Sequence, residues 1–228
     1  MKIFDLSGAA AGEHDLPGFG RVTLVTSDNN QRHEPMIPLQ GFVMHWTGLD
    51  ITPASPAAAI RMIVFAAYAW GIVDNGLEAA IIRTLKPTEK GAHLWGRNTG
   101  LTGAAYAATA DSSRPGYGPG APTAHQRAAM AVLGGEFCAW HRLDPRGTNQ
   151  LSRKQRVGKG TVDDRLVTLP GTIAFPVVAC HQTYAGPDQY GDERWDTGAL
   201  CDPDREAIAQ VYAQLKAKTR SFALAALL

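Results

Sequence analysis

The sequence predicts an α/β (or α+β) chain, a central mixed β-sheet flanked by helices. Three observations carry this. Short apolar and β-branched runs such as Arg21–Thr26, Phe42–His45 and Phe175–Cys180 have the length and composition of strands. Other segments place apolar residues at helical spacing, as Ile60, Ile63, Val64 and Ala67 do. The two kinds of segment alternate along the chain, as they do in sheets packed by helices.

The elements follow in order. Residues 1–19 are Gly/Ala-rich and read as an extended N-terminal arm, leaving 20–228 as a single domain. Residues 27–38 are a polar loop. Ser55-Pro56 is an N-cap followed by a first-turn proline, which opens a helix. Asp74-Asn75-Gly76 is a hairpin turn between Trp70–Val73 and Glu78–Thr84. Gly91–Gly103 reads as loop and Ala104–Thr109 as a strand. Residues 112–122 are too rich in Gly and Pro for a regular element. Thr123 and Gln126 form a capping box, and the helix behind it is expected to bury Met130, Leu133, Phe137 and Trp140. Arg146–Pro170 is a basic, weakly periodic insert and reads as a surface excursion. Asp202-Pro203 starts a last helix with Ile208, Val211, Tyr212 and Leu215 on one face.

Composition narrows the function. The chain has 228 residues, 45% of them hydrophobic, enough for a full core. A net charge of +1 gives no field that would draw it to nucleic acid or to an acidic membrane. No stretch is apolar for the roughly 18–20 residues that a transmembrane helix needs. The N-terminus lacks the apolar core of a signal peptide. Three cysteines in no CxxC pattern argue against a disulfide scaffold. A monomer is expected.

Chemistry concentrates at two strand ends. Gly41-Phe42-Val43-Met44 runs into His45, and Phe175–Cys180 runs into His181, with Arg194-Trp195-Asp196 soon after. Two imidazoles and one carboxylate are the ligand set of a catalytic zinc site, which keeps its fourth position open for water. The residues alone leave other readings open: each histidine as a strand histidine bonded to backbone, Asp196 as a turn cap before Thr197-Gly198, and Cys201 as a rival third ligand.

Five stretches, taken in order, resemble the zinc-dependent N-acetylmuramoyl-L-alanine amidases of the amidase-2 and peptidoglycan-recognition type, phage lysins in particular. They are His45-Trp46-Thr47, Tyr68–Gly76, His93-Leu94-Trp95-Gly96-Arg97-Asn98-Thr99-Gly100, the helix running from Thr123 to Pro145, and His181 with Tyr190-Gly191 and Arg194-Trp195-Asp196. The chain departs from the family in having Ala69 after the hairpin tyrosine and no carboxylate in Ala104–Ala108, where some members carry a glutamate.

The resemblance implies an amidase-2-like sheet with Zn2+ at one end, held by His45, His181 and Asp196. It implies catalytic roles for Arg194, as an oxyanion-stabilising cation, and for Tyr68 in proton movement. His93, Arg97, Asn98, Trp46 and Trp95 are the expected substrate contacts. The implied substrate and partner is peptidoglycan, both glycan strand and stem peptide. The implied setting is an endolysin made in the host cytoplasm without a signal peptide and acting on the cell wall after release. An injected antibacterial effector and a non-catalytic peptidoglycan-binding module are the alternatives.

Overall fold

The structure is a computed structural model that describes residues 1–24, 38–47, 56–66, 68–86, 89, 91, 98, 100–108, 120–181, 183 and 200–217. Among these, the strands are β1 (Lys2–Asp5), β2 (Gly12–Leu16), β3 (Gly20–Leu24), β4 (Gly41–Trp46), β5 (Trp70–Asp74), β6 (Ala79–Arg83), β7 (Leu101–Tyr106), β8 (Thr148–Val157), β9 (Arg165–Pro176) and β10 (Val178–Cys180). The helices are α1 (Pro56–Phe65), α2 (Ala124–Trp140) and α3 (Cys201–Ala217). Six strands make one mixed sheet in the order β1-β6-β5-β7-β4-β10. The pairs β5–β7, β7–β4 and β4–β10 are parallel, β5–β6 is antiparallel, and β1 is parallel to β6. The expected fold class is therefore the observed one, with helices on both faces.

Strand alternation sorts the side chains of β4. Phe42, Met44 and Trp46 join Met130, Leu133, Phe137 and Ile208 in the cluster under α2 and α3. Val43 points to the other face, where it packs with Leu101, Phe175 and Ala179. A second cluster on that face gathers Ile60, Ile63 and Val64 of α1 with Tyr68, Val73 and Ala105. Burying each such aliphatic or aromatic side chain contributes about 1.5–3 kcal/mol.

Local signals fix several joints. The hairpin between β5 and β6 turns at Asn75-Gly76. Gly76 sits at φ +89°, where a side chain would be strained, and Asn75 Oδ1 accepts from the amides of Leu77 and Glu78 at 2.9 Å each. The capping box of α2 is complete: Thr123 Oγ1 accepts from Gln126 N at 3.1 Å, and Gln126 Oε1 accepts from Thr123 N at 2.9 Å. Gln126 also donates from Nε2 to the carbonyls of Ile72 and Ala107, which seats the helix start on the sheet. The two helices of that face meet at a glycine pair. A Cβ on Gly134 would lie 2.7 Å from Ile208, and one on Gly135 would lie 2.6 Å from Val211.

Several sequence expectations are corrected here. Residues 1–19 are no separate arm. β1 is the edge strand of the main sheet, fixed by Lys2 Nζ to Glu78 at 3.2 Å and by Leu6 N donating to Arg83 O at 2.8 Å. The β2–β3 hairpin adds Leu16, Phe19, Val22 and Leu24 to the α1 cluster. The basic insert is an antiparallel hairpin, β8–β9, whose strands pair with one another rather than with the main sheet. The strand expected at 104–109 begins earlier, at Leu101. Trp140 is 45% exposed instead of buried, because the end of α2 carries it off the core. Among the described residues no helix is long and apolar enough to cross a membrane.

Candidate metal centre

β4 and β10 lie side by side and run the same way, with Met44 opposite Cys180. The next residue on each is histidine. His45 and His181 are thus brought together from opposite ends of the sequence by one parallel pairing. Their rings stand edge to face with centroids 5.0 Å apart, and their residues are 0% and 2% exposed. Two buried imidazoles in contact suit zinc as a donor pair, since neutral imidazole is an established ligand for it.

Tyr68 completes this aromatic group. Its ring centroid is 5.1 Å from that of His45. β7 runs between β4 and β5, and it offers only Ala105 at this level, opposite both His45 and Gly71 in register. A larger side chain there would fill the face across which Tyr68 approaches His45. Thr84, just past the end of β6, fixes the main chain of Tyr68: its hydroxyl donates to the Tyr68 carbonyl, and its amide donates to Ala69 O at 3.0 Å. On the far side of His45, Thr47 donates from N to Tyr106 O at 2.9 Å and from Oγ1 to Ala108 O at 3.2 Å. The backbone is anchored on both flanks of the pair.

The other expected site residues fall differently. Asp196, Arg194, His93, Trp95 and Arg97 lie outside the described residues. Among the described residues no three His, Cys, Asp and Glu side chains gather into a metal-binding group. Cys201, the rival third ligand, packs with Cys180, Met44 and Trp46 under α2 and α3. Alternation along β4 turns His45 to the opposite face, so Cys201 is across the sheet from it. The same alternation places Trp46 in the core cluster under α2 and α3, 6% exposed, on the face opposite His45. Asn98 is 8% exposed and its carbonyl accepts from Leu101 N at 3.3 Å. That places it at the start of β7, whereas the histidines stand at the ends of β4 and β10. The interval from Leu101 to Ala105, the residue opposite His45, is roughly 13 Å of strand.

A buried polar network beneath the site escaped the sequence reading. Tyr106, the last residue of β7, donates its hydroxyl to Asp204 Oδ2 at 2.7 Å, and Arg127 of α2 meets Asp204 Oδ1 at 2.8 Å. Burial, with the Asp204 carboxylate beside it, pushes the Tyr106 phenol well above its usual range. Burial also raises the Asp204 carboxyl, against the pull of its hydrogen bonds to Tyr106 and Arg127. The network ties α3 to both α2 and the sheet, directly after the segment that carries Arg194 and Asp196 in the sequence. Asp204 follows Asp202-Pro203 and looks like one more acidic residue at a helix start, so nothing in its local sequence marks it for burial.

No family model matches the chain, and no curated protein matches it. Among solved structures it is similar to a chain in the crystal structure of tracheal cytotoxin bound to the ectodomain complex of the peptidoglycan recognition proteins LCa and LCx, at 16% sequence identity over 63% of this chain and 79% of that one, with a TM-score of 0.41.

Proposed function

We propose that this protein is a zinc-dependent N-acetylmuramoyl-L-alanine amidase that cleaves peptidoglycan as a phage endolysin. The observation that carries the reading is the contact between His45 and His181 at the ends of two adjacent parallel strands, each buried and each beside Tyr68 or its partner imidazole. The order of the five motif stretches along the chain supports it. Asp196 is the third ligand in this reading, with Zn2+ as the cofactor.

Zinc held there would supply a water of near-neutral acidity and a Lewis acid for the amide carbonyl. The chain's own residues do the rest. The amide between the lactyl group of N-acetylmuramic acid and L-alanine is hydrolysed, so its carbon gains a hydroxyl and its nitrogen leaves as an amine carrying a proton. Arg194 donates hydrogen bonds to the carbonyl oxygen as negative charge grows on it. With no carboxylate on Leu101–Tyr106, the phenol of Tyr68 is the group that holds and passes the proton. The anchored backbone of Thr84 and Thr47 keeps Tyr68 and His45 in fixed relation, which lowers the cost of orienting them during reaction.

The test is incubation with purified peptidoglycan, with and without a chelator, followed by mass analysis of the soluble products. Free stem peptides beginning at L-alanine, lost on chelation and restored by zinc, are expected. Sedimentation with peptidoglycan without any release of stem peptides would make the protein a binding module instead.

A further inference from the structure

β10 ends at Cys180 and α3 begins at Cys201. The two side chains meet on the α2–α3 face of the sheet, in one apolar cluster, at 2% and 8% exposure. Thr183 Oγ1 lies 3.3 Å from Cys180 Sγ and 4.0 Å from Cys201 Sγ, so one hydroxyl reaches both thiols. The third cysteine, Cys138, lies in the last turn of α2 in the same apolar cluster, 0% exposed, with its thiol pushed up to about 12 by burial.

We propose that Cys180 and Cys201 are a disulfide-forming pair that closes when the protein meets an oxidising compartment, tying the end of β10 to the start of α3. Two sulfurs from different elements, both within reach of one hydroxyl and in one apolar cluster, need little backbone movement to join. The bond would close the segment 181–200 into a ring. A cross-link of that kind stabilises chiefly by restricting the unfolded chain. The inference goes beyond the amidase reading and stands without it, since neither sulfur is on the face of His45.

The chemistry balances with a small-molecule disulfide, such as glutathione disulfide, as oxidant. One cysteine loses its proton and attacks the oxidant, whose S–S bond breaks; this forms a mixed disulfide and releases one small thiol. The second cysteine loses its proton and attacks the protein-side sulfur, forming the Cys180–Cys201 bond and releasing the second small thiol. The protein gives up two electrons and two protons, and the oxidant takes up both. Burial of both thiols makes the folded, reduced protein react slowly, so the pair closes most readily during refolding in the redox buffer.

The test is to refold the full chain in a glutathione redox buffer, then unfold it, alkylate it and determine its mass and peptide map. Expected are a mass lower by two hydrogens before alkylation, one alkylatable thiol per chain, and a joined peptide pair containing Cys180 and Cys201. The melting temperature should exceed that of the reduced protein by several degrees. Cys180→Ser should abolish both the mass change and the gain in melting temperature. If that variant fails to fold, the wild-type peptide map alone decides. Three alkylatable thiols, glutathione adducts without a cross-link, or a bond that includes Cys138 would each overturn the proposal. No readout depends on zinc or turnover, so this proposal and the amidase reading fail separately.

Discussion

Tyr106 and Asp204 share a hydrogen bond of 2.7 Å that joins the end of β7 to the first turn of α3, with both residues buried. The Asp204 carboxyl is held above its ordinary value of 3.8 by burial, despite its bonds to Tyr106 and Arg127. A raised folded value means that the neutral form is favoured by folding. The resulting stability is full below the unfolded value and is lost as pH rises through the folded one. Asp204→Asn removes that titration. The stability advantage of wild type over Asp204→Asn should therefore shrink from about pH 3 towards about pH 7 in urea unfolding. An advantage that grows with pH would show that the carboxylate, through Arg127, dominates instead. Tyr106→Phe, which leaves a buried acceptor without its donor, should cost about 1–3 kcal/mol.

The ligand set gives the second prediction. Purified protein should carry about one zinc per chain, and His45→Ala and His181→Ala should each lose metal and turnover together. Asp196→Ala should weaken zinc binding far more than Cys201→Ser, because Cys201 packs on the face of the sheet opposite His45. Metal analysis after dialysis is the measurement. Stoichiometric zinc in both histidine variants would remove the site, and loss of metal in Cys201→Ser alone would reassign its third ligand.

Arg194→Ala should keep zinc and fold but lower turnover by about a hundredfold to a thousandfold, the usual cost of losing an oxyanion donor. Arg194→Lys should recover part of it, because a point charge replaces some of what a guanidinium fork does. Tyr68→Phe keeps the ring against His45 and should lose less. Stem-peptide release measured beside zinc content and melting temperature separates these outcomes. Wild-type turnover in Arg194→Ala would mark the arginine as a solvated surface residue.

Gly135→Ala tests the packing of the two helices. Alanine favours an isolated helix by about 1 kcal/mol. Here the added methyl would meet Val211 Cγ1 at 2.6 Å and the Tyr212 amide nitrogen at 3.1 Å. Backbone cannot move aside as a side-chain tip can, so overpacking of about 1–3 kcal/mol should win. A raised melting temperature would show that α3 shifts freely over α2.

What could be read from the sequence was what short-range chemistry encodes. Asn75-Gly76 and the Thr123/Gln126 box are complete within four residues, and both formed as expected. His45 and His181 stood out because each follows an apolar run, although the run before His181 divides between the end of β9 at Pro176 and β10 at Val178–Cys180. The β8–β9 hairpin did not stand out. Its strands hold each other through their own ladder and the Arg156–Asp164 pair, with Nε donating at 2.7 Å, so they need no apolar alternation. Leu16 and Phe19 sit among glycines and polar residues, and only the tertiary fit of their hairpin against α1 buries them. Trp46 is adjacent to His45 in a strand and so takes the opposite face, where it packs in the core.

The pairing of β4 with β10 also has a consequence for synthesis. His45 is made early and His181 late, and every strand between them must be translated before their own two strands can meet. Parallel contacts between distant segments are among the slowest to form, because a long loop must close first. A nascent polypeptide shorter than 181 residues therefore holds His45 without its partner imidazole. Any fragment ending before Val178 lacks both the strand and the second histidine, so premature termination yields a chain with half of the candidate site.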